Sequence, residues 1–348
     1  MKPTARPALR KRRTRTALAA VVAATALALG LAACGEKEED LGTTEPVPVE
    51  LALDFYVNPD HAGIYMALER GYFQRAGLDV RPRVPSDPSA PIREVAAGRA
   101  DLAISYEPEV LLAHEQGLDV IAVAALVDEP LTSLISLPES GIEGPAQLRG
   151  KVIATAGIAY QADYLETILA GAGLTLDDVQ QVGVGLNLLP ALLGGRADAI
   201  LGGFRNIEGV DLERRGKNPS VVPVNELGVP TYDELVLVAN GDRVSEDPEE
   251  IRLFIAALAK GTKDAVADPA AAAAAILAAN KSLEPELTRA EVAATLPLLA
   301  AEPKQPFGQM DSEEWALFAA WMSDNGLIGE VPETSDVLTN ELLPGAAE

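Results

Sequence analysis

Three short stretches concentrate side chains able to read a small molecule. The first is Asp54-Phe55-Tyr56-Val57-Asn58-Pro59-Asp60-His61-Ala62-Gly63-Ile64-Tyr65. Phe55 or Tyr56 can cover the face of a flat guest while the polar groups read its edge. Asn58 with Pro59 is also a helix start, Asn as cap and Pro in the first turn. A capped start accounts for Asn58-Pro59 but not for the added acids, imidazole and rings. The second stretch is Ser105-Tyr106-Glu107-Pro108-Glu109. Acids at a helix start complement its dipole, which by itself explains Glu109. The third is Gly202-Gly203-Phe204-Arg205-Asn206-Ile207-Glu208-Gly209. Its paired glycines allow close backbone approach. Glu208 either accepts from a ligand amino group or sits on the outer face of a helix.

Together the stretches offer rings, acceptors and few basic groups. Stacking on an aromatic contributes about 1–3 kcal/mol per base-like ring, and a carboxylate facing an amino-bearing edge adds charge-assisted hydrogen bonds. The set suits a neutral or cationic heteroaromatic. Nitrate, sulfonates and phosphates usually require Arg or Lys. Metal chemistry has little to work with: the histidines are His61 and His114, and Cys34 is the single cysteine. No phosphate loop with a following Lys-Ser/Thr and no Ser elbow occurs. No catalytic machinery, metal or cofactor is expected.

These stretches need strands and helices to hold them. Apolar, strand-sized runs at Leu51–Phe55, Leu102–Ser105, Val120–Ala125, Val152–Ala156, Ala199–Gly202 and Leu235–Val238 alternate with helix candidates at 61–70, 89–97, 107–116, 160–171, 187–194 and 206–215. The alternation predicts an α/β fold with largely parallel sheets. A repeat runs through it. Ala76-Gly77-Leu78, Gly98-Arg99-Ala100-Asp101 and Tyr106 are echoed by Ala172-Gly173-Leu174, Gly195-Arg196-Ala197-Asp198 and Phe204. Each copy ends a helix on Gly, enters a buried strand through Asp, and delivers a ring at the strand's C-terminal end. Ligands of open α/β sheets bind outside those ends. Two copies predict two facing lobes with Tyr106 and Phe204 at one gap. Beyond about 247 the chain reads as helices at 247–265, 269–280, 286–301 and 311–325. Trp315 and Trp321 are expected to be core anchors of the last.

The chain has 348 residues, enough for two domains. Seven of its 28 basic residues lie in the first 33 positions, which hold no acid. The remainder carries 21 basic against 52 acidic residues, a formal charge of −31. Such a body repels phosphate backbones, so no nucleic-acid partner is expected. Lys2 to Arg15 form a basic n-region, and Thr16 to Gly30 are uncharged and short for a membrane span. Leu31-Ala32-Ala33-Cys34 follows, a bacterial lipobox pattern in which Cys34 becomes the lipidated first residue. Residues 1–33 are therefore expected to be a signal peptide and 34–48 a flexible tether. Arg12-Arg13 matches twin-Arg export only weakly.

Asn58-Pro59-Asp60-His61-Ala62-Gly63-Ile64-Tyr65, Glu69-Arg70-Gly71-Tyr72-Phe73, Pro85-Ser86-Asp87-Pro88 and Ser105-Tyr106-Glu107-Pro108-Glu109 resemble the thiamine-precursor-binding proteins of ABC importers. These are similar in fold to the fungal thiamine-pyrimidine synthases. The resemblance spans about 50 to 325 and implies a hinged, two-lobed periplasmic-binding-protein type II fold. Lobe one would take 49–126 and most of 229–348, with lobe two at 127–228. It further implies an extracytoplasmic, lipid-anchored receptor that delivers a formylaminopyrimidine or hydroxymethylpyrimidine to a permease. Carried over, the ligand residues would be Asp54, Phe55, Asn58, His61, Tyr106, Glu107, Phe204, Asn206 and Glu208. One departure is Arg205, where relatives often have an aromatic; its guanidinium offers a partner for an anionic or carbonyl substituent. Riboflavin or sulfonate binding on the same fold is an alternative. The synthase reading calls for a pyridoxal phosphate Lys and a Cys-rich motif, which a chain whose one cysteine is Cys34 does not supply.

Overall fold

A computed structural model describes residues 45–299 and 305–345. The expected signal peptide, Cys34 and the expected tether up to 44 lie outside the described residues; the tether does not reach 48, since the first strand begins at Val47. Ten strands form two five-stranded sheets. They are β1 Val47–Ala52, β2 Leu78–Arg83, β3 Leu102–Ser105, β4 Val120–Val127, β5 Thr132–Ser136, β6 Val152–Thr155, β7 Gln180–Gly183, β8 Ala199–Phe204, β9 Ser220–Pro223 and β10 Leu235–Asn240. The sheet orders are β2-β1-β3-β10-β4 and β7-β6-β8-β5-β9.

The two orders are one pattern written twice. β1 to β4 correspond to β6 to β9, and each sheet receives its fourth strand from a chain crossing. β5 enters the second sheet straight after 128–131, and β10 returns to the first sheet after 224–234. Because each enters from the opposite end, it runs antiparallel to both its neighbours. The sheets are thus mixed rather than largely parallel. The central strands β3 and β10 and the edge strand β4 are almost wholly buried, as strands covered on both faces must be.

The repeated sequence has a repeated structural purpose. Gly77, Gly98, Gly173 and Gly195 all take left-handed φ between 64° and 79°. Asp101 Oδ2 accepts from the Glu50 N–H at 2.6 Å, and Asp198 Oδ2 accepts from the Val152 N–H at 2.8 Å. Each Asp therefore fastens the entry of a buried strand to its neighbour, midway along β1 at Glu50 and at the first residue of β6 at Val152.

Several local expectations shift. β1 stops at Ala52, so Asp54 and Phe55 belong to the following loop. Segment 206–215 is a π turn at Arg205–Gly209 continued by a helix at Val210–Arg214. β2, β5, β7 and β9 are not among the apolar runs. β2, β7 and β9 are edge strands with polar or proline content, and β5 carries buried Thr132, Ser133 and Ser136. The C-terminal helices run Pro248–Ala267, Pro269–Ala279, Pro285–Thr295 and Ser312–Asp324. Trp315 is 1% exposed and its Nε1 donates to Asp233 at 2.7 Å. Trp321 packs on Tyr164 and Phe318. Among the described residues no helix is long and apolar enough to cross a membrane.

Candidate ligand-binding site

The loops leaving β1, β3, β6 and β8 at their C-terminal ends meet around one cavity of about 440 Å³, measured to its open mouth. Both sheets contribute to its wall. Phe55 and Tyr106 come from the first sheet's loops, Tyr160 and Phe204 from the second's. Tyr106 and Tyr160 are buried and meet edge to face with ring centroids 6.3 Å apart. The rings predicted to share a gap do share it. Phe55, not the outward Tyr56, borders the cavity.

The Asp54 carboxylate stands in the wall, held on both oxygens. His61 Nε2 lies 2.8 Å from Oδ1, and the Tyr106 hydroxyl donates to Oδ2 at 2.9 Å. His61 Nδ1 accepts the Asn58 N–H at 3.3 Å, which leaves Nε2 as the protonated nitrogen facing Asp54. Asn58 Oδ1 in turn caps the short turn Pro59–His61 through the Asp60 N–H. The cap expected from Asn58-Pro59 is present, and it also orients the imidazole.

Glu208 lies across from this group. Its Oε2 accepts the Phe204 N–H at 2.8 Å. Burial, with a smaller contribution from Asp211, pushes its carboxyl up to about 7. Asp54, Phe55, Asn58, Tyr106, Phe204 and Glu208 therefore come together at the cavity.

Three anticipated residues do not border it. His61 is wholly buried behind Asp54. Glu107 turns toward the returning strand, where it accepts the Asp233 N–H at 2.7 Å. Burial and the Asp233 charge hold its carboxyl well above the usual range. Asn206 donates to Asp60 at 2.6 Å and to Thr295 at 2.8 Å, joining β8's loop to β1's loop behind the cavity. Asp60 is held well above the usual carboxylate range, first by burial and then by Asp54. Arg205 does not border the cavity either; its Nη2 lies 2.8 Å from Glu129.

Thr132, Tyr160 and Gln161 border the cavity without having been anticipated. Tyr160 and Gln161 follow β6, the repeat's counterpart of β1, so the rule that sent attention to β1, β3 and β8 would have found them if applied to all four strands. Thr132 opens β5, a strand supplied by a crossing and invisible to that rule. Behind it the buried Glu234 accepts from the N–H groups of Leu131 and Thr132 at 2.8 and 2.7 Å, and from the hydroxyls of Thr132 and Tyr232 at 2.9 and 3.0 Å. One carboxylate thereby ties the two inter-sheet crossings together.

Among the described residues bordering the cavity there is no Lys, Arg or His, and no group of His, Cys, Asp and Glu has metal-binding geometry. Pyridoxal phosphate does not fit these residues. It needs a Lys amine for its aldehyde and donors for its phosphate, and this wall offers neither.

Two linked sheets with strand-end loops closing on one cleft define a two-lobed periplasmic-binding-protein fold. The alkanesulfonate-binding protein SsuA from Xanthomonas axonopodis pv. citri superposes with a TM-score of 0.68 at 16% identity, over 85% of this chain and 99% of that one. Residues 58–272 match the NMT1/THI5-like family, and the chain belongs to it. A formylaminopyrimidine-binding protein from Halalkalibacterium halodurans is 36% identical over 278 residues, 79% of this chain and 84% of that protein. The 4-amino-5-hydroxymethyl-2-methylpyrimidine phosphate synthase of Aspergillus parasiticus is 29% identical over 230 residues, 63% of this chain and 67% of that enzyme.

Proposed function

We propose that the chain is the extracytoplasmic, lipid-anchored binding protein of an ABC importer and that its cleft captures a neutral aminopyrimidine precursor of thiamine. The observation that carries this reading is the wall itself: four aromatic rings and the carboxylates of Asp54 and Glu208, with no cation. A flat heteroaromatic stacks on the rings. Its exocyclic amino group donates to Glu208, whose Oε2 is already fixed by Phe204. Asp54 is the second acceptor, kept in orientation by His61 and Tyr106.

The similar pyrimidine-binding relative supports the ligand class. The sulfonate binder of like fold does not extend to it, because a sulfonate placed here would face carboxylates with no compensating charge. Binding is read as closure of the lobes about the two crossings braced by Glu234, the closed form being what the permease accepts. The chain is read as a carrier rather than a catalyst: Asp54 and Glu208 hold a guest, and no side chain at the wall is arranged as a nucleophile with its base.

The test is thermal denaturation of the purified full chain with 4-amino-5-hydroxymethyl-2-methylpyrimidine, its formylaminomethyl counterpart, riboflavin, taurine and nitrate. A ligand at a hundredfold excess over Kd stabilises the native state by about 2.7 kcal/mol. The pyrimidines are expected to raise the melting temperature by several degrees, and taurine and nitrate to leave it unchanged. A shift with taurine or riboflavin alone overturns the reading.

A further inference from the structure

Among the described residues bordering the cavity, Gln161 is the one whose buried side-chain polar atom lacks a hydrogen-bond partner. It opens the helix Gln161–Ala170 just beyond β6 and is 1% exposed. The unmatched atom is its carbonyl Oε1. A buried carbonyl at the wall of a cleft, with no donor to it among the described residues, calls for a donor from a guest.

The placement of this amide is set by β8. Gly202 has φ of 108°, and a Cβ there would stand 2.4 Å from Gln161 Nε2 but 3.6 Å from Oε1. The amide thus packs over bare backbone with its nitrogen end nearer the strand. A Cβ on the next residue, Gly203, would instead meet Ile200 at 2.9 Å and Ile135 at 3.1 Å, with the Cβ of Glu208 next at 3.5 Å. Gly202 is the unpaired residue of a bulge in β8, between the pairs Ser133–Gly203 and Leu134–Leu201, so Gln161 is seated against the bulge while Glu208 bonds the Phe204 N–H just beyond it.

We infer that Gln161 is a ligand-contacting, specificity-determining residue whose Oε1 accepts an N–H carried on a ring substituent, at a point of the cavity wall separate from Glu208. The inference rests on the aminopyrimidine reading and sharpens it. The preferred guest carries two separated donors, a ring amino group for Glu208 and a second N–H for Gln161.

Calorimetric titration at about pH 8 of the full chain and its Gln161→Leu and Gln161→Glu variants tests this. The probes are 4-amino-2,5-dimethylpyrimidine, which lacks the second donor, and 4-amino-5-(formylaminomethyl)-2-methylpyrimidine, which has it. Gln161→Leu is expected to weaken the formylaminomethyl compound by about tenfold or more and the dimethyl compound by less than about twofold. Gln161→Glu keeps an acceptor in the same place and is expected to retain discrimination between the two. Equal losses for both probes in Gln161→Leu, or Gln161→Glu falling as far as Gln161→Leu, overturn the assignment. If the Leu variant does not fold by its unliganded melting curve, Gln161→Met, which also lacks the acceptor at similar length, takes its place with the same expected and overturning results. Failure of the parent chain to bind either probe overturns the functional reading and this inference with it. Binding by the parent, with both probes weakened equally or not at all in Gln161→Leu, overturns the Gln161 assignment alone.

Discussion

At the scale of single residues, the acids of this protein divide by what each faces. Glu208 and Glu109 are both held up to about 7, chiefly by burial, yet only Glu208 borders the cavity. Glu109 accepts the Ser105 hydroxyl at 2.7 Å inside the first lobe. Glu208→Ala is therefore expected to weaken aminopyrimidine binding by about tenfold or more, and Glu109→Ala by less than about threefold. Equal, small effects in titration calorimetry would remove Glu208 from the site. Glu109 has its own signature in pH. Its folded-state value lies above the ordinary 4.5, so the unfolded chain loses that proton first. The stability it confers is full below about pH 4.5 and is lost as pH rises to about 7. Glu109→Gln should gain on the parent by about 1–3 kcal/mol between pH 5 and 8, at 1.36 kcal/mol per pH unit of displacement. Parallel melting-temperature profiles for the two proteins would contradict it.

At the scale of elements, strand ends and helix starts position the chemistry. The turn Pro59–His61 is capped by Asn58 and places His61 behind Asp54. β8 delivers Phe204 and then breaks into a π turn that carries Glu208. Gly202 is the point at which the strand cannot take a side chain, for both its φ and the Gln161 amide forbid one. Gly202→Ala is expected to lower stability by about 1–3 kcal/mol and to reduce pyrimidine affinity at the same time. Unchanged melting and affinity would show that neither the backbone conformation nor the amide's seat matters. Aromatic contacts extend the wall inward. Tyr160 touches Tyr164, which touches Tyr232 and Trp321, so the last helix buttresses the crossing that leads into β10. The Trp315–Asp233 hydrogen bond fixes the same region.

At the scale of the whole molecule, the duplicated sheets and exchanged fourth strands make a cleft with two walls, joined where Glu234 bonds one crossing to the other. The acidic body and basic N-terminal segment suit the export and membrane display proposed above. Cys34→Ser is expected to move the chain from the detergent phase to the aqueous phase on phase separation of expressing cells. Parent protein found in the aqueous phase would sink the lipid anchor.

Much of this was legible from residue order. Helix caps such as Asn58, the left-handed glycines, the strand-entry Asp of each copy and the apolar cores of β3 and β8 are local, governed by neighbours within a few positions. The rings at Tyr106 and Phe204 followed because an internal repeat places equivalent strand ends alike. Which acids face the cavity was not legible. Tyr106 bonds Asp54 across 52 positions, Asn206 bonds Asp60 across 146, and Glu107 meets Asp233 across 126. Nor was the antiparallel fourth strand of each sheet, which depends on where the chain crosses between lobes. Sequence by itself determined the periodicities, the caps and the chemistry on offer, because those depend on short-range backbone geometry. Tertiary structure alone decided that Thr132 borders the cleft while His61, Glu107 and Asn206 stand behind it, because long-range packing sets which polar groups lose water to the protein and which remain for a guest.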